Sequence, residues 1–262
     1  MNNFRNPFRN RRYKAHVSIL GTTQLHKRNP FTIAAWSLAF PGFGHLLLNK
    51  YLRGYALVLW EVFINQKIHL NLAMVYSFNG RIQAAIDVLD PKYVSLYIPV
   101  YCFAIWDSYR TAVDMNKVYL LADRENGPIN QFSVGALEIN YLDKRKPWVA
   151  MVWSMAVPSM GQLYLHRIIL ASFMLVSTIV IVSYSNLILA IHYLILGQIE
   201  KSTKVLNIQW LLYFPSFYLF AIYEAYTSTV ENNKLFNDNL KNFLLQKFQK
   251  PGKIIRLESK VK

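Results

Sequence analysis

Long apolar runs alternate with short polar turns along this chain. Residues 29–49, 147–166, 168–199 and 205–223 contain no Lys, Arg, Asp or Glu. A helix crosses the roughly 30 Å hydrocarbon layer of a bilayer with about 20 largely apolar residues, so several of these intervals are long enough to span one. Two of them are interrupted in the same way. Trp36-Ser37-Leu38-Ala39-Phe40-Pro41-Gly42-Phe43-Gly44-His45 and Trp153-Ser154-Met155-Ala156-Val157-Pro158-Ser159-Met160-Gly161-Gln162 each break an apolar run with proline and place a glycine shortly after it. Proline removes a backbone donor and glycine admits backbone shapes closed to other residues. The pattern therefore predicts a membrane helix that stops partway through the lipid.

The two interruptions belong to a longer duplication. Shifted by 117 positions and without gaps, residues 30–117 lie over 147–234. Pro30 meets Pro147, Trp36 meets Trp153, Pro41 meets Pro158 and Gly44 meets Gly161; further on, Tyr76 meets Tyr193, Gly80 meets Gly197 and Asn116 meets Asn233. Shared apolar composition would align scattered leucines, but not Pro, Gly, Trp and acidic positions in one register. Each copy divides into three apolar segments: a broken one (31–49, 148–166), a long one (54–78, 168–196) and one ending in an acid and a tyrosine (93–112, 210–229). Before the first copy stands a basic arm, 1–29, expected to be poorly ordered or to lie on a surface. A linker occupies 118–146. The tail, 235–262, carries Leu235, Phe236, Leu240, Phe243, Leu244 and Phe248 as an amphipathic helical stripe that Pro251-Gly252 should stop. The uncharged run 168–199 exceeds one bilayer, so a bend is expected near Ser183-Tyr184-Ser185-Asn186.

Composition supports a membrane setting. Apolar types make up 53% and charged types 16%, below the roughly 25% charge of soluble domains. The net charge of +15 sits mostly at the ends: residues 1–29 hold seven Lys/Arg and no acid. Basic segments beside apolar spans mark the cytoplasmic side and attract anionic headgroups. Phe4, Phe8 and Tyr13 among these arginines read as an interfacial anchor in preference to a nucleic-acid surface. If the broken segment crosses, the copies are inverted; if it turns back, they are parallel. Either way both termini share the cytoplasmic side. Lys144-Arg145-Lys146 in the linker, and Lys50, Arg53 and Arg167 after the breaks, favour the parallel case. Usage of Lys, Asn and Ile suits a bacterial inner membrane.

An apolar helix followed by Pro41-Gly42-Phe43-Gly44-His45-Leu46-Leu47, a short basic turn and another apolar helix resembles the TM2 domain family. Gly161-Gln162-Leu163-Tyr164-Leu165-His166 is similar to that family's Gly-x-x-x-x-Tyr-Leu-Gly signature. Ile105-Trp106-Asp107 and Ile222-Tyr223-Glu224 are similar to its closing Ile-Trp-x-x-x-Asp, with the acid moved next to the aromatic. The resemblance covers the turn after each broken segment and the end of each third segment. It implies a small helical membrane module in tandem, and no catalytic activity.

The residues themselves agree. No Gly-x-Ser-x-Gly, His-Glu-x-x-His or Walker loop is present, Cys102 is alone, and no cofactor or metal is implied. The candidate residues are the break motif (Pro41, Gly42, Gly44, Pro158, Gly161) and the polar residues His45, Glu61, Asp107, His166 and Glu224. Asp107 is expected to pair with Arg110 one turn on, and His45 to cap backbone carbonyls freed by the break. The fold expected is an all-α, polytopic helical membrane protein of two tandem three-segment repeats. Its expected role is non-enzymatic, as a structural or accessory component of a membrane complex with a membrane-protein partner or a second copy. The alternative is a small transporter or channel at the paired breaks; an intramembrane enzyme using Glu61 and His45 ranks last.

Overall fold

A computed structural model describes residues 12–125, 127–135 and 138–248. The chain is mostly helical. The first half holds α1 (Pro30–Ala39), α2 (Phe43–Leu47), α3 (Tyr51–Ile68), α4 (Leu70–Phe78), α5 (Ile82–Val88) and α6 (Pro91–Arg124). The second holds α7 (Pro147–Ala156), α8 (Met160–Tyr164), α9 (Ile168–Ser185), α10 (Leu187–Ile195), α11 (Ile199–Val205), α12 (Ile208–Leu211) and α13 (Tyr213–Phe248). Helix starts at 30, 43, 51, 70, 82 and 91 thus recur at 147, 160, 168, 187, 199 and 208.

Neither broken segment is a straight rod. Trp36 still receives the amide of Phe40 at 3.0 Å, but Phe40 is extended, Gly42 takes φ 100° and the amide of Phe43 returns to Phe40 O at 3.2 Å. Val157, Ser159 (φ 127°) and Met160 repeat this turn. The chain then doubles back. A Cβ on Gly44 would overlap Ser37 Oγ and the carbonyl oxygen of Ile33; one on Gly161 would overlap Ser154 Oγ and Ala150 O. In a continuous helix residues 33 and 44 would lie about 16 Å apart along the axis. Each broken segment is therefore a helical hairpin, and glycine is required where its arms touch.

The long second segments also break. His69 (φ 59°) separates α3 from α4, and Asn186 (φ 55°) separates α9 from α10. Both types tolerate the left-handed region better than most. The bend in 168–199 falls at the end of the stretch expected to hold it; the one at His69 carries no Gly or Pro to announce it. Among the described residues one helix, Ile168–Ser185, is by itself long and apolar enough to cross a membrane; α3 has the same length but carries Arg53, Glu61 and Lys67. A second run meets that measure only as a bent pair, Ile199–Val205 with Ile208–Leu245, at 80°.

The third segments outrun their expected ends. At 1.5 Å per residue α6 and α13 are each more than about 50 Å long, and α13 continues through 235 to Phe248 without the separate tail helix expected there. No Pro or Gly lies between 229 and 248 to stop it; Pro251-Gly252 lies outside the described residues. The helical picture also needs an addition. In the arm, β1 (Ala15–Ser18) and β2 (Gly21–Gln24) form an antiparallel hairpin, which β3 (Ile129–Asn130) joins in parallel. In the linker, β4 (Phe132–Val134) pairs with β5 (Ile139–Tyr141). Val17 and Ala15 are buried, so this part of the arm is packed instead of loose; Phe4 and Phe8 lie outside the described residues.

The core joins the halves. Ile33, Phe40, Phe43 and Leu46 of the first hairpin pack with Leu170, Met174, Phe217 and Phe220. Phe43 stacks on Phe220 with ring centroids 4.2 Å apart, and Tyr55 stacks on Phe173 at 4.1 Å.

Candidate functional site

Each hairpin brings a polar residue of its short helix to the acid of the third segment. In the first half, His45 Nε2 lies 3.0 Å from Asp107 Oδ2. In the second, Gln162 Nε2 donates to Glu224 Oε2 at 2.9 Å and to Ala221 O at 2.8 Å. The acid then takes one arginine. Arg53 Nη1 donates to Asp107 Oδ2 at 2.9 Å from an exposed position, whereas Arg167 pairs with Glu224 where both are buried. Arg167 also donates to Ser228 Oγ and reaches into the first half, to Asn49 Oδ1 and to Tyr51 OH at 2.8 Å.

Two sequence expectations are corrected. Asp107 does not pair with Arg110, which points to the exposed face, stacks on Trp106 and stands 3.9 Å from Asp114. A same-face spacing on a helix lost to partners arriving from α2 and α3. His45 meets a carboxylate and not backbone carbonyls; at the breaks Leu38 O accepts from Tyr101 OH and Met155 O from Tyr218 OH, so tyrosines of the third segments do that capping. His166 is separate from both acids: its Nε2 is 2.8 Å from Ile19 O, which docks the β1–β2 hairpin at the turn before α9.

A second set of matched bonds anchors the ends of the hairpins. Asn116 accepts from the amide of Arg28 at 2.9 Å and donates to its carbonyl at 2.7 Å; Asn233 does the same for Arg145 at 2.9 and 2.7 Å. Nearby, both ring nitrogens of His26 are buried without partners. Burial first, then Arg28, Arg167 and Lys234, hold its pKa down to about 3.

Glu61 stands elsewhere. It is 4% exposed, on α3, and its Oε1 accepts from Asn65 Nδ2 at 3.2 Å and Tyr97 OH at 3.3 Å. Its Oε2 has no partner. Asn65 joins Asn71 and Gln209 in a buried network in which Gln209 Nε2 donates to Asn65 Oδ1 at 2.8 Å and Asn71 Nδ2 donates to Gln209 O at 2.8 Å. That network ties the His69 break to α12 of the other half. Glu61, Asn65 and Asn71 line a cavity of about 420 Å³ with Phe40, Pro41, Tyr97, Tyr101 and Tyr213. The cavity reaches Pro41 of the first break; Pro158 is not in its wall.

The sequence singles out Glu61, and Arg53 and Arg167 as topology markers, but not the pairing of those arginines with the acids or the amides around Glu61. Asn65 four residues after Glu61, in an apolar segment, was the available signal. Among the described residues no group of three His, Cys, Asp or Glu is placed to hold a metal ion. No protein-family model, curated protein or solved structure matches this chain.

Proposed function

We propose that the chain is a duplicated, non-enzymatic membrane module that acts as a structural or accessory component of a membrane complex. In each copy α3 or α9 leaves the cytoplasmic side, α6 or α13 returns, and the hairpin dips into the lipid and comes back. Both termini and the linker then face the cytoplasm, where Lys144, Arg145, Lys146, Lys234 and Lys241 meet anionic headgroups. Non-helical backbone at membrane depth is tolerated only inside protein. The neighbouring helices give that shelter.

The observation that carries this reading is that the arms of both hairpins close on their glycines, and that the cavity reaching Pro41 does not include Pro158 in its wall. Gly44 sits against Ser37 and Ile33, and Gly161 against Ser154 and Ala150. Asp107 and Glu224 are occupied by their own arginines. A transport path between paired breaks needs polar room at both of them.

Purification in mild detergent tests the role: a membrane protein, or a second copy, should accompany the chain in fixed ratio, and Pro41→Ala with Pro158→Ala should leave that recovery intact. A lone chain that carries solute flux in vesicles, lost in the double variant, would instead establish the transporter. For the topology, Lys50→Cys and Lys144→Cys in a Cys102→Ser background should both react with an impermeant maleimide from the cytoplasmic side only. Labelling of Lys50→Cys from outside would show that the first hairpin crosses.

A further inference from the structure

We propose that the cavity beside Glu61 is a binding site for an organic ammonium group. Three features of its wall point to this class. Glu61 presents Oε2 without a hydrogen-bond partner, although the residue is 4% exposed. Among the described residues no Lys, Arg or His forms an ion pair with it, unlike Asp107 and Glu224. On the membrane placement proposed above, on which this inference rests, Glu61 is an ionisable group at membrane depth without a counter-charge, and such a group marks a functional site before it marks a structural one. Phe40, Tyr97, Tyr101 and Tyr213 contribute aromatic rings to the same wall, and rings around a carboxylate recognise alkylated ammonium through cation–π attraction.

The amide side chains of the wall are already committed. Asn65, Asn71 and Gln209 satisfy one another, which fixes the floor of the cavity and leaves Glu61 as the one acidic side chain in its wall. Tyr101 OH is tied to Leu38 O, so the hinge of the first hairpin helps to hold the aromatic wall. The space, about 420 Å³, takes a trimethylammonium group with a short chain. The rim includes Leu38 and Met74, both exposed and apolar. Along α3, Glu61 lies about 12 Å from Arg53 and about 10 Å from Ile68. An amine arriving free or as the headgroup of an amphiphile would offer the same chemistry there. The corresponding position in the second half is Thr178, whose hydroxyl is spent on Met174 O at 2.7 Å, so the site belongs to the first half alone.

The test is titration calorimetry of the full chain in uncharged maltoside micelles with choline, hexyltrimethylammonium and dimethylbutanol, the uncharged carbon isostere of choline. Trp60 stacks on Tyr97 with centroids 5.7 Å apart, so its fluorescence gives a second readout. Both cations should bind, the isostere at least tenfold more weakly. Glu61→Gln should weaken the cations at least tenfold and leave the isostere unchanged. Tighter binding of hexyltrimethylammonium would assign the site to an amphiphile, and equal binding to a free amine. Wild-type protein that takes choline and its isostere equally, or neither cation, overturns the proposal, and that arm stands even if the Glu61 variant fails to fold.

Discussion

Asp107 and Glu224 occupy matching positions in the two halves but live in different electrical surroundings. Asp107 keeps 14% of its side chain exposed and is paired with Arg53, 60% exposed; Glu224 keeps none, and Arg167 only 7%. The cations also come from different places. Arg53 lies in the first turn of α3, whereas Arg167 precedes α9 at the position that Lys50 holds in the first half. One half thus has a wet ion pair and an acid-bearing cavity; the other has a sealed pair that also grips Asn49 and Tyr51 across the interface. A matched backbone has accepted two chemistries, one fixing the halves together and one leaving a carboxylate free.

Removing the cations should separate the two most widely. Arg167→Met leaves Glu224 buried and unpaired, a loss of about 3–5 kcal/mol. Arg53→Met should cost about 0–1 kcal/mol, since an exposed pair is weak and water replaces it. Thermal unfolding in detergent, with Arg167→Met/Glu224→Gln as partial rescue, reads the difference. Similar melting of the two single variants would mean that the second pair is as wet as the first.

A smaller asymmetry lies at the basic end, where His26 corresponds to the exposed Asp143. The folded His26 has its pKa held to about 3, against 6.5 for the ordinary imidazole. Above pH 6.5 neither state binds the proton, so the group contributes nothing. As pH falls through 6.5 the unfolded chain takes up a proton that the folded chain refuses, and stability drops by at most about 1.4 kcal/mol per pH unit until the folded value is reached. Melting temperature should therefore fall between pH 6.5 and pH 4, and His26→Gln should flatten the fall; an unchanged slope would show that the imidazole is hydrated.

The recurrence of element boundaries 117 positions apart follows residues with backbone consequences, which sequence reading can register. Gly42 and Ser159, Asn49 and His166, His69 and Asn186, and Gly80 and Gly197 all hold positive φ in pairs 117 positions apart. The breaks were legible because proline disfavours helix continuation and a small residue, Gly42 or Ser159, follows it, whereas Pro99 without such a neighbour is carried inside α6. What stayed hidden depends on approach in space. Arg53 and Arg167 sit three positions out of register, close to one helical turn, so alignment separates residues that do the same work. Gln209 meets Asn65 from the far half of the chain, and no local pattern announces that contact. The β1–β2 hairpin was missed because four-residue strands beside a charged run carry little periodicity.

The smallest test concerns the turn that both halves share. At its tip the first half has Gly42, at φ 100°, and the second has Ser159, at φ 127°. A side chain at such a φ is strained whatever space surrounds it, at about 1–3 kcal/mol. The first half has no freedom here, because a Cβ on Gly42 would also come within 2.5 Å of Gly54 O and 2.9 Å of Val58 Cγ2. Ser159, by contrast, is fully buried with its hydroxyl unpartnered, so it gains no hydrogen bond in return. Ser159→Gly should then stabilise the protein, by about 1 kcal/mol after the added entropy of the unfolded chain is deducted. The reverse change, Gly42→Ser, should destabilise by more than that, since it adds a clash to the strain. Calorimetric melting of the two variants side by side checks both signs. A destabilised Ser159→Gly would mean that the hydroxyl has a water or lipid partner holding the second tip, and that the two turns are alike in path but not in what keeps them bent.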